Sequence, residues 1–267
     1  MTFSDDEIER YARHLVLAEL GGPGQQRLKA ARVGLIGLGG VGAPAALYLA
    51  AAGVGILRLI DDDTVALSNL QRQILFTGAD TGRPKVEVGA AALGALNPHV
   101  RIEPVAERLT GANAAVLIAG CDLVLDGTDD FATRFAVNAA CVAAGVPLVS
   151  GALGRWSGQI AVFEGRPCYR CLVPEVPPEA ETCARAGVVG ALAGVVGAMA
   201  ALEAVKLITG AGTPLSGRLL LYDGLAGTAR TVTLPADPAC PVCGGGPQSA
   251  AGEPAATATG ATPSRGR

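Results

Sequence analysis

Apolar residues in this chain gather into short runs, separated by longer segments in which small, apolar and polar residues recur at helical spacing. The runs are VGLIG at 33–37, GILRLID at 55–61, VRIEPV at 100–105, CDLVLDG at 121–127 and PLVSG at 147–151. VGLIG is continuous and without alternation, which suits a strand buried on both faces, and the others predict further strands. Between them lie helical segments: APAALYLAAAG at 43–53, a stretch after Pro84, GANAAVLIAG at 111–120 and FATRFAVNAACVAAG at 131–145. Strand, helix and strand in repetition predict an α/β fold: a mainly parallel sheet with right-handed crossovers and helices on both faces. Ahead of it, Ser4-x-x-Glu7 reads as a capping box that opens a helix to about Leu20, with Gly21-Gly22-Pro23-Gly24 expected to break it and a short helical stretch to follow before VGLIG.

Past Ser150 the alternation stops. GQIAVFEG at 158–165, SGRLLLYDG at 216–224 and GTARTVTLP at 227–235 predict strands in short connections, an antiparallel continuation of the sheet. Between them sit a loop rich in Pro and Glu at 174–181 and the segment AGVVGALAGVVGAMAAL at 186–202. That segment is 17 residues, mostly Gly, Ala and Val, followed at once by Glu203 and Lys206, so it predicts a closely packed buried or interface helix, not a membrane span. Residues 244–267 hold few bulky apolar side chains and read as a disordered tail.

Composition narrows the function classes. Half of the 267 residues are hydrophobic and 17% are charged, which excludes wholesale disorder. A net charge of −3 provides no basic surface for nucleic acid. The acidic start MTFSDDEIERYARHL lacks an apolar signal core, which predicts a cytoplasmic protein, and seven cysteines are then not expected to form disulfides.

Candidate chemistry begins at Gly37-Leu38-Gly39-Gly40-Val41-Gly42, between the first strand and its helix. Gly37, Gly39, Gly40 and Gly42 let the backbone turn tightly and approach a phosphate, and the helix start offers amide groups to the anion. Asp61 ends the second strand, where a carboxylate accepts hydrogen bonds from ribose hydroxyls. This much is a Rossmann-like arrangement that fits NAD as well as ATP. Asp63 and the string Ser68-Asn69-Leu70-Gln71-Arg72-Gln73 follow, then Lys85 at a helix start and Asp129 after the strand at 121–127. Open α/β sheets bind ligands at the carboxyl ends of their strands, so these groups can meet in one crevice. Arg72 and Lys85 suit a triphosphate and a carboxylate suits Mg²⁺, whereas hydride transfer has no need of so much positive charge beside the turn.

Two Cys-x-x-Cys pairs, Cys168/Cys171 and Cys240/Cys243, are separated by 68 residues. Four thiolates make a closed zinc site, and redox-active pairs are the rival reading. Cys121 and Cys141 sit in apolar segments and read as packing residues. Cys183 lies between the Pro/Glu loop and the small-residue segment, beside Arg185, which could lower its pKa.

The string from Val33 to Arg72, with Gly82-Arg83-Pro84-Lys85, Asp126-Gly127-Thr128-Asp129 and Val149-Ser150-Gly151, resembles the MoeB/ThiF/HesA family, relatives of the ubiquitin-activating enzymes. The resemblance runs from Arg10 to Cys243. It implies a single domain at 1–243, with a nucleotide-binding half at about 1–150 and a half at about 151–243 that binds a carrier protein and zinc. It implies an ATP site at Gly40, Asp61, Ser68, Asn69, Arg72, Lys85, Asp129 and Asp130, with Asp129 near Mg²⁺, and structural zinc at Cys168, Cys171, Cys240 and Cys243. Arg10-Tyr11-x-Arg13 matches a family R-Y-x-R whose second arginine reaches the neighbouring subunit's ATP site, which implies a homodimer. Cys183 corresponds to the crossover-loop cysteine that forms a thioester in ubiquitin activators. Asp130 stands where many members carry Asn, and His14 where many carry Gln.

The activity so implied is acyl adenylation of a ubiquitin-like sulfur-carrier protein ending in Gly-Gly, of the MoaD or ThiS type, in molybdopterin or thiamine biosynthesis. Arg13, Asn69, Arg72, Lys85 and Asp129 would align and neutralise the phosphates. The sulfur is expected from a separate donor, such as a cysteine desulfurase or rhodanese. Three alternatives remain on sequence alone: another acceptor for the adenylate, an NAD(P)-linked oxidoreductase, and a scaffold without turnover.

Overall fold

A computed structural model describes residues 2–176 and 187–245. Its elements are α1 (Asp5–Arg10), α2 (Ala12–Leu15), α3 (Gly21–Ala30), β1 (Arg32–Ile36), α4 (Gly42–Ala52), β2 (Ile56–Ile60), α5 (Lys85–Leu96), β3 (Arg101–Val105), α6 (Ala114–Leu117), β4 (Leu123–Asp126), α7 (Phe131–Ala144), β5 (Leu148–Leu153), β6 (Ser157–Phe163), α8 (Tyr169–Leu172), α9 (Gly190–Thr209), β7 (Arg218–Asp223) and β8 (Thr228–Thr233). Short 3-10 turns occupy Leu67–Asn69 and Gly78–Asp80.

One eight-stranded sheet runs in the order β3-β2-β1-β4-β5-β6-β7-β8. The first five of these pair in parallel and the rest antiparallel, as the change of pattern after Ser150 predicts. Alternate side chains feed two separate cores. Val33 and Leu35 of β1 and Leu123 and Leu125 of β4 enter one, while Ile36 and Val124 enter the other. Strands wholly buried in this way stabilise the fold by roughly 1.5–3 kcal/mol for each large aliphatic side chain. The order reverses between β1 and β4, so the crevice of a doubly wound sheet opens at their carboxyl ends.

The N-terminal helix is shorter than expected. Ser4 and Glu7 do form a capping box, but the helix stops at Arg10 because Tyr11 leaves helical geometry (φ −98°, ψ 11°) and drives its ring into the interior. There its hydroxyl accepts a hydrogen bond from Asn97 Nδ2 at 2.9 Å. The glycine-proline cluster at 21–24, expected to end a helix, instead starts α3. Pro23 is the third residue of that helix, where its missing N–H leaves no bond unmade. The helix expected over 111–120 contracts to the four residues of α6.

Small residues let α9 press against α4 and across β5 and β6, with Ala193, Val196, Ala200 and Ala204 fully buried. By length and composition α9 could cross a membrane. In the fold it is a core helix, and it carries the buried Glu203, which accepts Leu215 N–H at 2.8 Å and pairs with Lys206 at 2.5 Å.

Replacing Glu203 with Ala strands that amide and should cost about 2–4 kcal/mol of stability, read as a lower midpoint in urea unfolding. An unchanged midpoint would contradict a structural role for the pair.

Candidate nucleotide and metal sites

At residue 42 the chain can carry no side chain. A Cβ there would lie 1.8 Å from the carbonyl oxygen of Gly37, and Gly37 itself has φ +82°. The turn from β1 therefore folds back onto the start of α4 and aims the helix N-terminus along the ends of β1 and β4. Asp61, at the end of β2, holds this loop from below. Its Oδ2 accepts from Leu38 N–H at 2.6 Å and its Oδ1 from Asp63 N–H at 2.8 Å. Burial pushes the Asp61 carboxyl up, against the opposing pull of Lys85 and the two amides, and the net is above the usual carboxylate range.

A cleft of about 490 Å³ opens over these strand ends. Gly37, Gly39, Gly40, Asp61, Asp63, Asn69, Arg72, Lys85, Asp129 and Asp130 all line it, so residues up to 93 positions apart in sequence meet in one place. Lys85, only 4% exposed, bonds Asp63 at 2.7 Å and lies 3.9 Å from Asp61. Asn69 caps its own 3-10 turn by accepting Ala66 N–H, and Arg72 donates to the carbonyl of Ser68. Asp129 is exposed and makes neither a hydrogen bond nor an ion pair among the described residues, which leaves it open to a cation. Asp130 caps α7 through Thr133. Burial raises its carboxyl, but the Thr133 hydroxyl and amide, the Ala132 amide and Arg108 outweigh that and hold it below the ordinary range.

Some expected site residues lie elsewhere. Gly42 sits inside the turn, and neither Ser68, Leu70 nor Gln71 lines the cleft. Gln71 faces the start of α9, where its carbonyl would clash with any side chain at residue 190. Arg13, exposed on α2, is outside its own chain's cleft. Cys183 lies outside the described residues, as do the acidic part of the Pro/Glu loop and the tail beyond Gly245.

Two further lining residues carry contacts that the sequence does not show: Gln73, the end of the string at 68–73, and Arg134. Gln73 is 4% exposed and its Oε1 has no hydrogen-bond partner among the described residues. Arg134, from α7, donates to the carbonyls of Thr128 and Gly151 and lies 3.3 Å from Ser150 Oγ. It thereby fastens the loop that carries Asp129 to the end of β5. Arg134 belongs to no glycine motif or strand end, and only its position in the fold marks it.

The four cysteines converge. Sγ atoms of Cys168, Cys171, Cys240 and Cys243 lie within 4.8 Å of one another, at 3.7 Å for Cys168–Cys240 and 3.4 Å for Cys171–Cys243. Tetrahedral zinc with thiolate bonds of about 2.3 Å requires sulfurs about 3.8 Å apart, so the donor set fits that ion. Asn138 Nδ2 and Asp237 N–H approach Cys168 and Cys171 sulfurs at 3.5 Å, as supports for thiolate ligands do. Burial opposes ionisation of Cys240, yet the amides of Cys243 and Val242 bring it down to about 7. Between the first two cysteines, Tyr169 is buried with its ring 5.8 Å from the Arg134 guanidinium, so the cluster also supports a wall of the cleft.

Similarity to known proteins agrees with this geometry. The ThiF family model matches residues 11–242. The molybdopterin-synthase adenylyltransferase of Escherichia coli (strain K12) is 50% identical over 244 residues, 90% of this chain and 98% of its own. The sulfur carrier protein ThiS adenylyltransferase of the same strain is 47% identical over 245 residues, 91% of this chain and 97% of its own. In fold, a crystal structure of E. coli MccB with MccA-N7isoASN superposes with a TM-score of 0.79 at 24% identity, over 91% of this chain and 76% of that one.

Purified protein should contain about one zinc per chain, and Cys240→Ser should lose it and melt earlier. Metal analysis that finds no zinc in a folded preparation would refute the thiolate cluster as a zinc site.

Proposed function

The chain belongs to the ThiF family, and from that premise we propose that it binds MgATP in the cleft and adenylates a sulfur carrier's carboxylate. The carrier is a ubiquitin-like protein ending in Gly-Gly, of the MoaD or ThiS type. Its carboxylate attacks the α-phosphorus, the bond to the β-phosphate breaks so that the β- and γ-phosphates leave as pyrophosphate, and an acyl-adenylate remains for conversion to a thiocarboxylate by a separate sulfur donor.

The observation that carries this reading is the convergence of the Gly37–Gly42 turn, Asn69, Arg72, Lys85 and the free Asp129 on one cleft. The attacking carboxylate is already ionised at neutral pH, so no general base is needed, and the chain's work is alignment and charge neutralisation. The start of α4 and the loop amides would receive the phosphates. Arg72 and Lys85 would offset the charge gathering on the leaving pyrophosphate, and Asn69 would orient it. Asp129 would hold Mg²⁺, which supplies further charge neutralisation at the phosphate oxygens. Asp61 would set the ribose while keeping the glycine loop in place. Arg13, outside its own cleft, would complete the cleft of a second copy in a homodimer. The four cysteines would hold zinc as a structural tie, uniting a nucleotide-binding half at about 1–150 with a carrier-binding half at about 151–243. The names of the similar proteins divide between molybdopterin and ThiS chemistry, so both carrier types are tested.

Carrier-dependent ATP–pyrophosphate exchange should be measurable with purified protein, and Asp129→Ala should lower it at least about a hundredfold with zinc content unchanged. Full exchange by that variant would remove Asp129 from the mechanism. No exchange with either carrier, from a folded zinc-loaded protein, would overturn the proposed acceptor.

A further inference from the structure

The loop after β3 sends one cation to the mouth of the cleft. Arg108 places its guanidinium 4.0 Å from Asp62 and 3.6 Å from Asp130, with 61% of its side chain exposed. Asp62 follows β2 and Asp130 caps α7 after β4, so the guanidinium spans the carboxyl ends of β2, β1 and β4, above the glycine turn. The cleft is rich in carboxylates. Asp61 and Asp63 are offset by Lys85, and Asp129 is free for a cation. Asp62 and Asp130 have no other cation within ion-pair distance among the described residues.

A triphosphate entering such a cleft is repelled by every carboxylate left uncompensated. We propose that Arg108 is a positioning residue for the nucleotide, neutralising Asp62 and Asp130 so that a polyanion can occupy the cleft. This rests on the ATP-binding reading above. The guanidinium acts through the carboxylates it pairs with, and its effect is electrostatic and screened by salt. The exposed pair itself adds little to folding stability, so the variants should remain folded.

The test is a double-mutant cycle on the full-length chain: calorimetric MgATP affinity of wild type, Arg108→Gln, Asp130→Asn and the double variant, at low and high salt. Asn keeps the helix cap that Asp130 supplies. Arg108→Gln should weaken binding about three- to tenfold at low salt, the effect of one lost charge at several ångströms near a protein surface. That loss should shrink at high salt. Asp130→Asn removes one repelling carboxylate and should bind MgATP more tightly than wild type at low salt, and the double variant should recover most of the affinity lost in Arg108→Gln. In pyrophosphate exchange, Arg108→Gln should raise KM for ATP and leave kcat within about twofold, as loss of uniform binding does. Arg108→Gln binding like wild type, or a double variant as weak as Arg108→Gln, would overturn the proposal. A folded wild type that binds no MgATP would overturn the parent reading and this one with it, whereas binding without coupling defeats only the role of Arg108.

Discussion

The carbonyl of Gly37 occupies the space that a side chain at residue 42 would need, and most of the cleft follows from that contact. Only a chain with hydrogen at that position can leave β1, turn within five residues and start α4 directly over the sheet edge. Asp61 then ties the turn to β2 through Leu38 N–H, so the loop is fixed from both sides before any ligand arrives. Lys85 is drawn into the same corner by Asp61 and Asp63. The helix start, the two aspartates and the lysine are therefore one constraint, set by contacts within the chain itself.

The far wall depends on a different set of contacts. Arg134 is buried without an ion-pair partner among the described residues, and its charge is spread over carbonyls from the β4–α7 loop and β5. Tyr169, seated between two cysteines, covers it. Phe163 and Phe135 pack about that tyrosine in turn, at 6.0 Å and 5.8 Å between ring centres. The thiolate cluster thus lies one residue from a wall of the cleft, so a metal there would steady the loop that presents Asp129 as well as tie down Cys240 and Cys243.

Helix α9 shows how composition misleads when context is missing. Its apolar length satisfies a membrane criterion, yet Glu203 is buried within it by a partner on the same helix and by the amide of Leu215. A carboxylate so satisfied belongs to a protein core, and the small residues around it serve close helix packing.

The sequence by itself determined the sheet and the chemistry of its edge. Short apolar runs alternating with helical segments point to a parallel sheet covered by helices, and the glycine turn, Asp61, Lys85 and Asp129 fall at strand and helix ends by local rules of spacing. Local rules failed at Tyr11, where a buried hydroxyl bonded to Asn97 broke a helix that propensity would have continued, and at residues 21–24, where packing made a helix start from an expected stop. Only the tertiary structure decided that Arg134 and Arg108 share the cleft, because their places depend on contacts between segments far apart in the chain. It decided likewise that Gly42 shapes the site from within instead of lining it. The same holds for the four cysteines: their pairs are legible as motifs, but their meeting across 68 residues depends on the antiparallel half of the sheet that lies between them.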